Sequence, residues 1–172
     1  MPYLIAAVAV VAVACALDLV LTVAVLRRLR RQAATLAQLD GGDDAQAAVQ
    51  ELVGRPVPEA AGSGHGDRRA RLIGFFSPGC PACHEQAPHF LRRARREAGR
   101  GVDALAVVCG EPEGAADLAA LLGEGATVLT DGDHLAAALG VALFPTFLVA
   151  DNGTVTAAAL AVGKLPSAVP AA

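Results

Sequence analysis

Cys80 and Cys83 stand two residues apart in the stretch Leu72-Ile-Gly-Phe-Phe-Ser-Pro-Gly-Cys80-Pro-Ala-Cys83-His-Glu-Gln-Ala-Pro88. Two thiols at that spacing can pass between a dithiol and a disulfide, and the attacking species in such exchange is the thiolate. What lowers a thiol pKa is a positive electrostatic environment, so the elements around the pair decide whether the chemistry is available. Leu72 to Phe76 is a short apolar run that reads as a buried strand. Ser77-Pro78-Gly79 is turn chemistry. Pro81 then suits a first helical turn, because it has no N–H to leave unpaired. Ala87, Phe90, Leu91, Ala94 and Ala98 follow at helical spacing. The pair is therefore expected on the N-terminal turn of a helix, where free N–H groups and the dipole favour an anion. Cys80 is the expected nucleophile and Cys83 the resolving thiol.

The remaining elements follow from pattern. Val102 to Cys109 reads as a second buried strand, Glu111 to Leu122 as a helix, and Ala126 to Leu129 as a short strand. His134 to Leu139 is a brief helix ended by Gly140. Phe144-Pro145-Thr146-Phe147 opens an apolar strand, Asp151-Asn-Gly153 turns it, and Thr154 to Leu160 returns. Arg92, Arg93, Arg95, Arg96 and Arg100 read as the solvated outer side of the cysteine helix, with docking of an anionic lipid or acidic partner as the alternative. No aromatic residues interleave with them, which argues against nucleic acid.

Leu4 to Leu26 is almost wholly apolar, interrupted by Asp18 and Thr22, and is long enough to span a bilayer. Such a span accounts for part of the high apolar content, 54% of 172 residues. It lacks a basic start and a cleavage site, so it is expected to stay in the chain. Arg27, Arg28, Arg30 and Arg31 follow at once, and the positive-inside rule places that side in the cytoplasm. Residues 1–31 are thus read as a transmembrane helix with a basic flank. Residues 32–66 are read as a juxtamembrane spacer and flexible linker, broken at Gly41-Gly42-Asp43-Asp44. Residues 67–165 form the expected redox domain, and 166–172 a disordered tail. The four cysteines, Cys15, Cys80, Cys83 and Cys109, contain only one close pair, so they do not form a disulfide framework. Cys109 reads as a core thiol.

The order strand, CxxC helix, strand, insert, strand at Pro145, hairpin and strand resembles the thioredoxin fold: a central mixed sheet flanked by helices. Phe75-Phe-Ser-Pro-Gly-Cys80-Pro-Ala-Cys83, Pro88, the helix–strand insert between Glu111 and Leu129, Gly140-Val141, Phe144-Pro145-Thr146-Phe147 and Asp151-Asn-Gly153 resemble membrane-anchored TlpA/ResA-like thiol–disulfide oxidoreductases. The MauD-type proteins of that group share the anchor plan. The resemblance implies a thiol–disulfide oxidoreductase of protein substrates, served by a membrane electron donor and held at the lipid surface outside the cytoplasm; a disulfide reductase without cofactor or metal is expected, though the Pro-Ala pair between the cysteines leaves reductase or oxidase open. It implies Cys80 as nucleophile, Cys83 as resolver and Pro145 as a cis proline, with Phe144, Thr146, Pro81 and Gln86 in support. Three departures stand out. The N-terminal hairpin is cut short, and the closing helix after Gly163 is missing or vestigial, which leaves one sheet face poorly covered unless the linker or a partner covers it. The carboxylate that usually serves the resolving thiol is absent: Gly74 and Gln86 stand where it would be.

The motif has other readings. A non-catalytic binding module on the same fold is one. Cys80-Pro-Ala-Cys83-His84 also spells the c-type haem pattern, but a Met axial ligand is lacking because Met1 is the only methionine. His65 and His134 have no paired spacing with the cysteines for zinc.

Overall fold

The structure, a computed structural model, describes residues 42–58, 70–110 and 114–168. The transmembrane helix expected over 1–31, most of the linker after Pro58 and the last four residues of the tail lie outside the described residues. Among the described residues no helix is long and apolar enough to cross a membrane.

Five strands form one mixed sheet in the order β3-β2-β1-β4-β5: β1 (Arg71–Phe76), β2 (Asp103–Val108), β3 (Thr127–Leu129), β4 (Thr146–Asp151) and β5 (Thr154–Ala159). The first three run parallel, and β4 and β5 are antiparallel to their neighbours. Alternation along each strand sends side chains to two separate cores. Leu72, Phe76, Ala106, Val108, Phe147 and Val149 face one side, under α2 (Pro81–Ala98) and α3 (Ala115–Gly123). Ile73, Phe75, Val107, Leu148 and Ala150 face the other, under α1 (Gly42–Gln50) and α4 (Asp133–Leu139). This is a thioredoxin-like α/β fold with helices on both faces.

The spacer reading needs correction. The sequence reading places a break at Gly41-Gly42-Asp43-Asp44, but Gly42 already opens α1, whose first turn holds Asp44 at the positive end of the dipole. Val49 and Leu52 are buried in the second core. The Gln50 side-chain amide donates to the Ala158 carbonyl at 2.6 Å. Gly54 to Val57 then runs along the edge of β5, with Val57 N–H bonded to Gly153 O at 2.8 Å and Gly54 N–H to Val155 O at 2.8 Å. So residues 42–58 belong to the domain, with α1 on the second core and the following segment along the edge of β5. The signal was weak because α1 is short and Ala-rich and buries few of its residues.

The far end of the chain is also packed. In place of a closing helix there is one 3-10 turn, Val162–Lys164. Arg93, read from the sequence as solvated, is buried beneath it with Glu97. Its guanidinium donates to the carbonyls of Val162 (2.9 Å) and Leu165 (3.0 Å), and also to that of Pro166. Glu97 lies 3.6 Å from Arg93 and accepts from Ala168 N–H at 3.5 Å. The expected tail thus begins as ordered chain, with Leu165 and Ala168 in the core. A fork of five donors can satisfy several carbonyls that no helix closes. Replacing Arg93 by Met leaves Glu97 buried and these carbonyls unpaired. It is expected to cost about 3 kcal/mol in a urea titration, whereas Arg96→Met, on the exposed side of α2, should stay within about 0.5 kcal/mol.

Candidate functional site

The site forms where β1 ends and α2 begins. Cys80 is the N-cap of α2, in extended conformation, and Pro81 occupies the first turn. The Ser77-Pro78-Gly79 turn closes through Cys80 N–H to Ser77 O at 3.1 Å. His84, one turn into the helix, places Nε2 2.9 Å from Pro78 O and so ties the turn to the helix. No side chain caps this helix, so its first N–H groups are open to an anion.

Cys80 is half-buried and Cys83 fully buried. The Cys80 pKa is lowered to about 6, chiefly because the Cys83 thiol donates a hydrogen bond to the Cys80 thiolate. Burial opposes this, while the backbone N–H groups of Cys83 and Ala82 and the nearby His84 assist. The same bond and then burial push the Cys83 thiol far upward, against a partial stabilisation by Ser77 N–H, which donates to its sulfur at 3.4 Å. The two thiols therefore divide their roles by position: one charged at the rim, one neutral beneath it. Cys109 is a buried core thiol raised to about 12, by burial first and the Asp133 charge second.

Cys83 shares its apolar core with three aromatic rings. Phe76, Phe90 and Phe147 meet in a triad, with centroids 5.4 Å, 5.6 Å and 6.0 Å apart. Their rings fill the space over Gly74: a Cβ there would come within 2.8 Å of Phe76 and 2.9 Å of Phe90. No side chain, carboxylate or other, fits at position 74 without moving the triad. Gln86 is turned elsewhere; its side-chain oxygen accepts from Val162 N–H at 3.4 Å and so helps hold the C-terminal turn.

Sixty residues on, the chain returns to the pair. The Phe144–Pro145 peptide bond is cis. Thr146, fully buried, donates its hydroxyl to Leu143 O at 2.7 Å and closes the turn that presents this bond. Phe144 O lies 3.4 Å from Cys80 Sγ, so the thiol form of Cys80 can donate to it. Of the residues singled out from sequence, Cys80, Cys83, Pro81, Phe144, Pro145 and Thr146 come together here, while Gln86 joins the C-terminal turn. Sequence reasoning missed the part played by His84 and the aromatic floor. The three phenylalanines were legible only as core, since nothing in their spacing shows that they converge below Cys83.

The CxxCH residues do not present a haem face: Cys83 is shut beneath the rim and His84 Nε2 is engaged with a backbone carbonyl. Among the described residues no group of three or more His, Cys, Asp or Glu could hold a metal ion.

No protein-family model matches the chain, and no curated protein matches it. Solved structures do. An uncharacterized conserved protein from Geobacillus kaustophilus is 21% identical over 60% of this chain and 66% of its own, with a TM-score of 0.50. A thioredoxin-family thiol:disulfide interchange protein from Chlorobium tepidum is 23% identical over 59% of this chain and 74% of its own, at 0.47. A secreted disulfide oxidoreductase from Mycobacterium tuberculosis is 18% identical over 61% and 75%, also at 0.47. At such identities likeness concerns the fold alone.

Alkylation by iodoacetamide tests the electrostatic account. The rate at Cys80 should rise through a midpoint near pH 6 and be flat by pH 8, since only the thiolate reacts. Cys83→Ala removes the largest stabilising bond, so the midpoint should move up by at least about one pH unit. Cys83→Ser keeps a donor and should move it less.

Proposed function

We propose that this chain is a protein thiol–disulfide oxidoreductase working as a disulfide reductase. The observation that carries this reading is the charged Cys80 at the N-terminus of α2, backed by the neutral Cys83 and faced by Phe144 O at 3.4 Å.

The exchange follows from those positions. The Cys80 thiolate attacks one sulfur of a client disulfide, forms a mixed disulfide, and releases the other client sulfur as a thiolate. Bond formation removes the charge that held the Cys83 proton. Cys83 then loses that proton to water or to the departing client thiolate, because no carboxylate stands beside it among the described residues. Its sulfur attacks Cys80 Sγ and releases the second client thiolate. The client leaves reduced by two electrons and the pair is left as a disulfide, so a dithiol donor must reduce it again. As a thiolate, Cys80 no longer donates to Phe144 O, and that carbonyl becomes free to accept an N–H from an extended client strand. Pro145 and Thr146 hold it there.

A Cys80 pKa of about 6 favours the reducing direction. The Leu4–Leu26 run and the resemblance to the TlpA/ResA/MauD group support a tethered enzyme, fed by a membrane electron donor and facing away from the cytoplasm. Arg27, Arg28, Arg30 and Arg31 pull the other way, so cysteine accessibility in intact cells decides the side.

Trapping tests the chemistry. Cys83→Ser should accumulate a mixed disulfide with a reduced-and-reoxidised client such as insulin, visible on a non-reducing gel and lost with dithiothreitol. Cys80→Ser should accumulate none. An enzyme that neither reduces insulin nor forms the adduct is a binding module, and the redox reading fails.

A further inference from the structure

On the side of α2 away from the cores, a groove of about 510 Å³ runs between the helix and the C-terminal turn. His89, Arg92, Arg95 and Arg96 line one wall, and Val162 and Gly163 form the other. We propose that this groove is an exosite for an acidic, extended segment of the protein client, lying a few residues from the client's reactive cysteine. The proposal rests on the redox reading above for its client, and adds what the client must carry.

Four observations support it. The first is charge against the trend: the chain is net −3, yet α2 beyond Glu85 exposes Arg92, Arg95 and Arg96, while its one later carboxylate, Glu97, is buried with Arg93. Second, two of these cations have no acidic partner. Arg95 is paired with Glu124 at 3.6 Å, but no carboxylate among the described residues lies within salt-bridge distance of Arg92 or Arg96. Arg92 instead donates to His89 Nδ1 at 2.7 Å. Because a guanidinium only donates, His89 in that geometry carries its hydrogen on Nε2, as a further donor. Third, the wall is preformed: Arg93 holds Val162 O and Gln86 holds Val162 N–H, and Gly163 lets a backbone approach. A membrane surface has no use for such a recess, whereas a chain does.

The fourth is reach. His89 and Arg96 lie nine and sixteen residues past Cys80 on one helix. At about 1.5 Å per residue that is roughly 13 to 24 Å. An extended client covers this distance in roughly four to seven residues at about 3.3 Å each. Arg92 and Arg96 are about 6 Å apart along the helix. Alternate residues of an extended strand are spaced about 6.6 Å apart. The fitting motif is therefore two acidic residues at i and i+2.

The test uses the full-length chain in a neutral detergent. Fluorescent peptides carry a cysteine disulfide and a Glu-x-Glu motif five residues away. Controls carry Gln-x-Gln there, or the same two glutamates next to the cysteine. Anisotropy gives binding, and exchange kinetics give KM and kcat. The spaced acidic peptide should bind roughly tenfold tighter than both controls at low salt and lose that advantage at high salt. Arg92→Glu with Arg96→Glu should abolish the preference, leaving kcat and the reaction with neutral hydroxyethyl disulfide unchanged. Equal binding of all three peptides overturns the proposal, as does a preference that survives the charge reversal. Phosphatidylglycerol vesicles that displace the acidic peptide while neutral vesicles do not would assign the groove to lipid instead. If hydroxyethyl disulfide is not reduced at all, the redox reading fails, and anisotropy still decides the groove.

Discussion

One hydrogen bond organises the site: the Cys83 thiol donating to the Cys80 thiolate at the open start of α2. It is the largest influence lowering the first thiol and the largest raising the second. The arrangement needs three things at once. The helix must begin at Cys80 with no competing cap, Cys83 must sit one turn in, and nothing basic may stand below to take its proton. The fold supplies each of them locally. β1 delivers the turn, Pro81 starts the helix, and the phenylalanine triad closes the floor.

A thiol held neutral by its bond to a charged neighbour and by burial is a poor nucleophile until the neighbour is consumed. The packing over Gly74 shows why a carboxylate cannot simply be restored there: the rings occupy its place. The same triad joins β1, α2 and β4, so the elements that carry Cys80, Cys83 and Phe147 are locked to each other. Rigid placement of Phe144 against the pair follows from that packing together with the Thr146 bond to Leu143.

Much of this was legible in the chain. The strand–turn–CxxC–helix unit is written in local chemistry: an apolar run, Ser77-Pro78-Gly79, and Pro81 after the cysteine. Pro145 was legible through the resemblance, which implies a cis proline at the start of the Pro-Thr-Phe strand some sixty residues on. What was not legible is what depends on distant partners. Arg93 and Glu97 look like any surface i,i+4 pair, and only the arrival of Val162 to Ala168 turns them into a buried clasp. Gly42 to Pro58 looked like linker because its composition is that of one; its role comes from packing on the second core and along β5. In both cases the segment is held by bonds to backbone groups far away in sequence, and no local pattern encodes such bonds.

Selective 13C labelling of the two cysteines, followed by their Cβ shifts against pH, tests the central claim most directly. The account predicts that the reduced Cys80 titrates near pH 6 while Cys83 stays protonated beyond pH 9. Two thiols titrating together at the ordinary value of about 8.5, or Cys83 losing its proton first, would contradict it.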